Sequence, residues 1–209
     1  MSDQIGNTLP KIIGINMYRS YKIFENQDAK VQKYIDFIDQ GWPYRFFATL
    51  TFQYRLSDSL GIAFASEHIK RLNKRLLGRS WSKRGLQCLA GVATLEHASI
   101  LKHSYDGRVI KDRGTCHFHF LLHDHPCFDR YPEAALHQLT DAWEASARSL
   151  NYKATRKLVS VHGTNVQLFE TTGVYGYILK EAKTPSWEHL ERLFYMDGEG
   201  LLHIDAAVI

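Results

Sequence analysis

Hydrophobic and polar positions along this chain follow two periods, and the switches between them lay out an order of elements. Over residues 28–40, Val31, Tyr34, Ile35 and Ile38 recur at helical spacing, and Gly41-Trp42-Pro43 ends the run. Residues 44–54, YRFFATLTFQY, are rich in aromatic and β-branched side chains and predict a strand. A second helix is expected over 59–77, with Ile62, Ile69, Leu72 and Leu76 toward a core and Gly78 as its stop. Residues 86–96 predict a strand that Glu96 closes, Ser104-Tyr105-Asp106-Gly107 a turn, and residues 115–122 a strand in which HFHF alternates strictly. A third helix over 132–150 carries Pro132 in its first turn, and a strand over 157–169 is broken around Gly163. A last helix over 171–183 is stopped by Pro185, and EHLERLFYMDGEGLLHID beyond it reads as a peripheral helix and strand or a partner-binding tail.

Strand, helix, strand, strand, helix, strand, helix is an α+β order, best satisfied by one central antiparallel sheet with flanking helices. A parallel dinucleotide-binding sheet fits poorly, because the middle strands join through a turn and not a helical crossover. The 209 residues, 44% hydrophobic and 12% aromatic, suit a single domain, and no repeat or low-complexity linker invites a division. No apolar run is long enough to cross a bilayer and the polar start MSDQIGNTLP lacks a secretory pattern, so the expectation is a cytoplasmic protein without a membrane partner. Cys88, Cys116 and Cys127, odd in number and without CxxC spacing, indicate neither a disulfide framework nor a zinc ribbon.

The formal charge of +4 says less than its distribution. Residues 68–84 hold Lys70, Arg71, Lys74, Arg75, Arg79, Lys83 and Arg84 with no acid among them, which suits a phosphate-facing surface or a solvated helix face. Trp81 in the same segment is either a base-stacking platform or a core residue. His117 and His119, two apart on a strand, point to one face while Phe118 and Phe120 point to the other, so two imidazoles stand ready for one divalent ion. Glu96 on the neighbouring strand is the candidate third ligand, and a carboxylate with two imidazoles accepts Mn²⁺ or Mg²⁺. In VYGYILKEAK, Tyr177 precedes Lys180 by three positions on a predicted helix, so phenol and ammonium share a face and the cation favours the phenolate. Tyr175 is the alternative nucleophile, about 200° away around the same helix.

Taken in order, FATLTF at 47–52, HFHFLL at 117–122 and YILK at 177–180 resemble the three motifs of the replication-initiator branch of the HUH endonucleases. The motifs frame residues 44–183 as the core, with an N-terminal helix and a C-terminal tail appended. The resemblance implies an antiparallel sheet of the RRM or ferredoxin-like kind carrying the histidine pair, with Glu96 as the remaining ligand. It implies a metal-dependent DNA endonuclease and strand transferase with Tyr177 as nucleophile and Lys180 assisting it. The expected reaction is site-specific nicking of single-stranded or hairpin origin DNA in rolling-circle replication of a plasmid, phage or integrated element. A host helicase and polymerase are the implied partners, since no GxxxxGK[ST] segment for nucleotide phosphates is present. A related relaxase or transposase, a hydrolase using activated water, and a noncatalytic nucleic-acid-binding module are the competing readings.

Overall fold

A computed structural model describes residues 43–103, 109–151, 157–169 and 193–204, together with Asp36 and Ile38. The described strands are β1 (Tyr44–Phe52), β2 (Gly91–His103), β3 (Val109–His123), β4 (Val159–Leu168), β5 (Leu193–Asp197) and β6 (Gly200–His203), and the two long helices are α1 (Asp58–Leu77) and α2 (Pro132–Asn151). They form one antiparallel sheet in the order β4-β1-β3-β2-β5-β6, the α+β architecture that the element order predicts.

Alternation along the strands divides the sheet into two faces. Phe46, Ala48, Leu50 and Phe52 of β1, Phe118 and Phe120 of β3 and Ala93 and Leu95 of β2 turn to one side. There they meet Ala65, Ile69 and Leu72 of α1 and Leu139, Trp143 and Ala147 of α2, which builds the core. Ser57 starts α1 by accepting a hydrogen bond from the Leu60 N–H at 3.3 Å, and Gly78 ends it at φ +86°, where a side chain would be strained. At the far end of α2, the Asn151 side-chain oxygen accepts from the Leu158 and Val159 N–H groups and so aims the chain into β4.

Several boundaries differ from the sequence expectation. β2 begins at Gly91, not at residue 86, because the Leu89 N–H is taken by the Asn73 side chain and strand pairing starts only beyond it. A Cβ at Gly91 would strike the Leu121 carbonyl, so the opening of β2 needs a glycine for its close approach to β3. β2 and β3 run on past the expected ends, to His103 and back to Val109, so Glu96 lies in the middle of a strand and not at its tip. β4 continues through Gly163, although its pairing with β1 shifts register between Leu50 and Phe52, opposite that glycine. Residues 193–203, for which the sequence left open a peripheral helix and strand or a partner-binding tail, extend the sheet as two strands: Phe194 and Met196 enter the core and Asp197 caps the β5–β6 turn by accepting from the Glu199 and Gly200 N–H groups. The expected helix at 28–40 is described only at Asp36 and Ile38, both helical, and the helix at 171–183 and the turn at 104–107 lie outside the described residues. No helix among the described residues is long and apolar enough to cross a membrane.

The seven basic residues of 68–84 differ in how far they are tied to the fold. Arg71 reaches back to Glu67 at 2.7 Å and across to the carbonyl and hydroxyl of Ser149 at 2.6 and 3.0 Å, tying α1 to α2. Arg84 donates to the Leu77 carbonyl at the end of α1, and Lys70 pairs with Glu199 at 3.3 Å. Lys74, Arg75, Arg79, Lys83 and Arg84 are exposed. Trp81 is half-buried, with its ring against Gly198 in the β5–β6 turn. We predict that Arg71→Ala costs about 2 kcal/mol in urea denaturation, because it strips charge-assisted bonds from a half-buried interface. Lys74→Ala is expected to stay within about 0.5 kcal/mol; equal costs for the two would refute the assignment of Arg71 to the fold.

Candidate metal centre

The sheet face opposite the two helices carries a cluster of polar groups. On β3 the alternation that sends Cys116, Phe118 and Phe120 into the core sends His117 and His119 to the other side. Glu96 of β2 stands directly across from His117 in the β2–β3 register, and Thr94 stands across from His119. From the other flank, β1 places Thr49 opposite His119 and Thr51 opposite His117. Three strands thus deliver one carboxylate, two imidazoles and three hydroxyls to a single patch.

The donors converge. His117 Nε2 lies 3.1 Å from Glu96 Oε2, and His119 Nε2 lies 3.4 Å from the same oxygen. One donor atom from each of the three residues falls within 4.8 Å of the others. Bonds of about 2.1 Å to one ion place neighbouring donors about 3.0–3.4 Å apart, so the two measured contacts have the length of coordination edges. Glu96 and His119 are buried, at 2% and 3% side-chain exposure, whereas His117 keeps 14% and marks the more open side.

Burial makes this arrangement costly unless its charge is balanced. A carboxylate almost withdrawn from water needs a cation or strong donors, which either a protonated histidine or a metal ion supplies. Thr94 Oγ1, buried across from His119, has no hydrogen-bond partner among the described residues. A polar atom left in that position fits a site built for a further ligand such as metal-bound water. The nitrogen and oxygen donors, with Cys116 turned to the opposite face, suit a divalent ion that needs no thiolate. Glu96, His117 and His119 can therefore hold a metal ion.

The remaining sequence candidates fall in two groups. Tyr175, Tyr177 and Lys180 lie outside the described residues. Lys70, Arg71, Lys74, Arg75, Arg79, Lys83 and Arg84 belong to α1 and the turn after it, and α1 packs on the face away from the metal group. Sequence reasoning missed the surroundings of His119. Thr49 Oγ1 lies 3.2 Å from its Nδ1, and the Phe47 ring stacks on the imidazole at 5.4 Å between centroids and 18° between planes. The available signal was FATLTF itself, whose odd positions face the histidines once β1 pairs with β3. No protein-family model, curated protein or solved structure matches this chain.

Proposed function

We propose that this protein is a metal-dependent DNA-nicking enzyme of the HUH type, acting as a rolling-circle replication initiator. The observation that carries the reading is the meeting of Glu96, His117 and His119 on one face of a central antiparallel sheet. Its strand order also sets FATLTF beside HFHFLL, so two of the three motifs read from the sequence are neighbours in space.

In this reading Glu96, His117 and His119 hold Mn²⁺ or Mg²⁺, which when bound supplies positive charge to a nonbridging phosphate oxygen. Tyr177, as phenolate, forms a bond to phosphorus of single-stranded DNA while the bond from phosphorus to the 3′-oxygen breaks. The departing oxygen takes up a proton and becomes a 3′-hydroxyl able to prime synthesis. The 5′-phosphate stays on the tyrosine, which conserves the ester for later resealing by another hydroxyl. Lys180 favours the phenolate by its charge. Tyr175 would replace Tyr177 if the nucleophile sits on the other side of the helix expected there.

The test is incubation with Mn²⁺ and single-stranded DNA carrying the origin of the protein's own replicon, followed by a denaturing gel. A DNA-linked protein band that disappears in Tyr177→Phe is the expected result. Cleavage without such a band would overturn the tyrosine mechanism in favour of activated water, and binding without cleavage would reduce the protein to a nucleic-acid-binding module.

A further inference from the structure

FATLTF has so far been a motif without a task, and its geometry supplies one. We propose that Thr49, with Phe47 beside it, is a positioning element that sets the proton and the ring angle of His119 so that Nε2 is offered to the metal. The inference rests on the metal-holding role of Glu96, His117 and His119, but not on the nicking reaction.

A histidine binds a metal through a lone pair on one ring nitrogen, so the proton must sit on the other. His119 Nε2 faces Glu96 at 3.4 Å, and its Nδ1 faces Thr49 Oγ1 at 3.2 Å. The Thr49 hydroxyl oxygen accepts a hydrogen bond from Nδ1–H and thereby leaves the lone pair at Nε2, on the side where Glu96 and His117 stand. Phe47, two residues earlier on the same face of β1, stacks almost parallel on the imidazole and limits rotation about χ2.

Thr49 is itself held from behind. The Trp143 indole N–H of α2 donates to the Thr49 carbonyl at 3.1 Å, and Thr49 pairs with Asn165 of β4 on its other side, ahead of the register shift beyond Leu50. Trp143 is fully buried and central to the core, so the backbone of Thr49 is fixed by the main packing interface of the protein. The hydroxyl therefore projects from a rigid strand, which is what outer support of a ligand requires.

The test compares Thr49→Val, which keeps the shape and β-branching but removes the hydroxyl, with Thr49→Ser, which keeps the hydroxyl. Mn²⁺ affinity is measured by calorimetric titration, and imidazole ¹⁵N spectra of the metal-free proteins report which nitrogen of His119 carries the proton. We expect Thr49→Val to bind Mn²⁺ about 10- to 100-fold more weakly and to lose the Nδ1–H form of His119, and Thr49→Ser to stay within about threefold of wild type. Wild-type affinity with an unchanged tautomer in Thr49→Val would overturn the positioning role and leave the metal centre standing. Absence of Mn²⁺ binding by the wild type would overturn the metal centre and this inference together. An equal loss in both variants would place the effect in packing and not in the hydroxyl, and so would also overturn it.

Discussion

Mn²⁺ at about a hundredfold excess over its dissociation constant is expected to stabilise the wild-type protein by about 2.7 kcal/mol, and Glu96→Gln to remove nearly all of that gain. Glu96 is the residue to change because its carboxylate touches both imidazoles, at 3.1 and 3.4 Å. Glutamine preserves its size and one oxygen but withdraws the negative charge that a divalent ion needs. An affinity loss of about a hundredfold brings the same Mn²⁺ concentration down to the variant's dissociation constant, where binding adds only about 0.4 kcal/mol. For a chain of this size the wild-type gain corresponds to a rise in melting temperature of about 5–10 °C, reversed by a chelator, against about 1 °C in the variant. Equal rises in the two proteins would place the ion elsewhere.

Acid is expected to unfold the protein through His68, and replacing that residue with leucine to flatten the response. His68 is fully buried in α1 with its ring edge-on to Trp143 of α2 at 4.4 Å, and neither ring nitrogen has a hydrogen-bond partner among the described residues. Burial, reinforced by the positive charge of Arg71 one turn along, lowers its pKa from 6.5 to about 3. The unfolded chain therefore takes up a proton that the folded protein refuses. Stability is complete above pH 6.5 and is lost as the pH falls from there toward 3, by about 1.4 kcal/mol per pH unit. Between pH 6.5 and 4.5 the loss through His68 is about 2 kcal/mol. Urea denaturation at the two pH values, compared between wild type and His68→Leu, isolates this residue from other acid-titrating groups. Leucine leaves no partner of the imidazole unsatisfied, so the variant is expected to match or exceed wild type at pH 7. Parallel losses in the two proteins would mean that His68 is not the acid-sensitive group.

Much of this protein was legible in its sequence because the relevant information is local. Period-two alternation through residues 115–122 is enough to put His117 and His119 on one face and Phe118 and Phe120 on the other, whatever strand lies alongside. Helix starts and stops were legible too: α1 falls within a residue of its expected bounds because a serine cap and a positive-φ glycine act within a turn of themselves. The α+β class followed from the same local cues.

What the sequence left open depends on partners distant in the chain. The sequence suggested Glu96 as a strand-end acid near the histidines, but only the pairing of β2 with β3 sets it opposite His117, since a slip of one residue would have turned it into the core. Thr49 and Phe47 became part of the site only when β1 paired on the far side of β3. β5 and β6 are too short for periodicity to decide between a peripheral helix and strand and a tail, and they are held as strands by the burial of Phe194 and Met196 beside β2. The basic segment shows the division most plainly. Its seven charges are written in the sequence, but which of them are also tied to the fold was decided by Ser149, Glu199 and the Leu77 carbonyl. Charge and periodicity belong to a segment by itself, whereas register, burial and pairing exist only once distant segments have packed together.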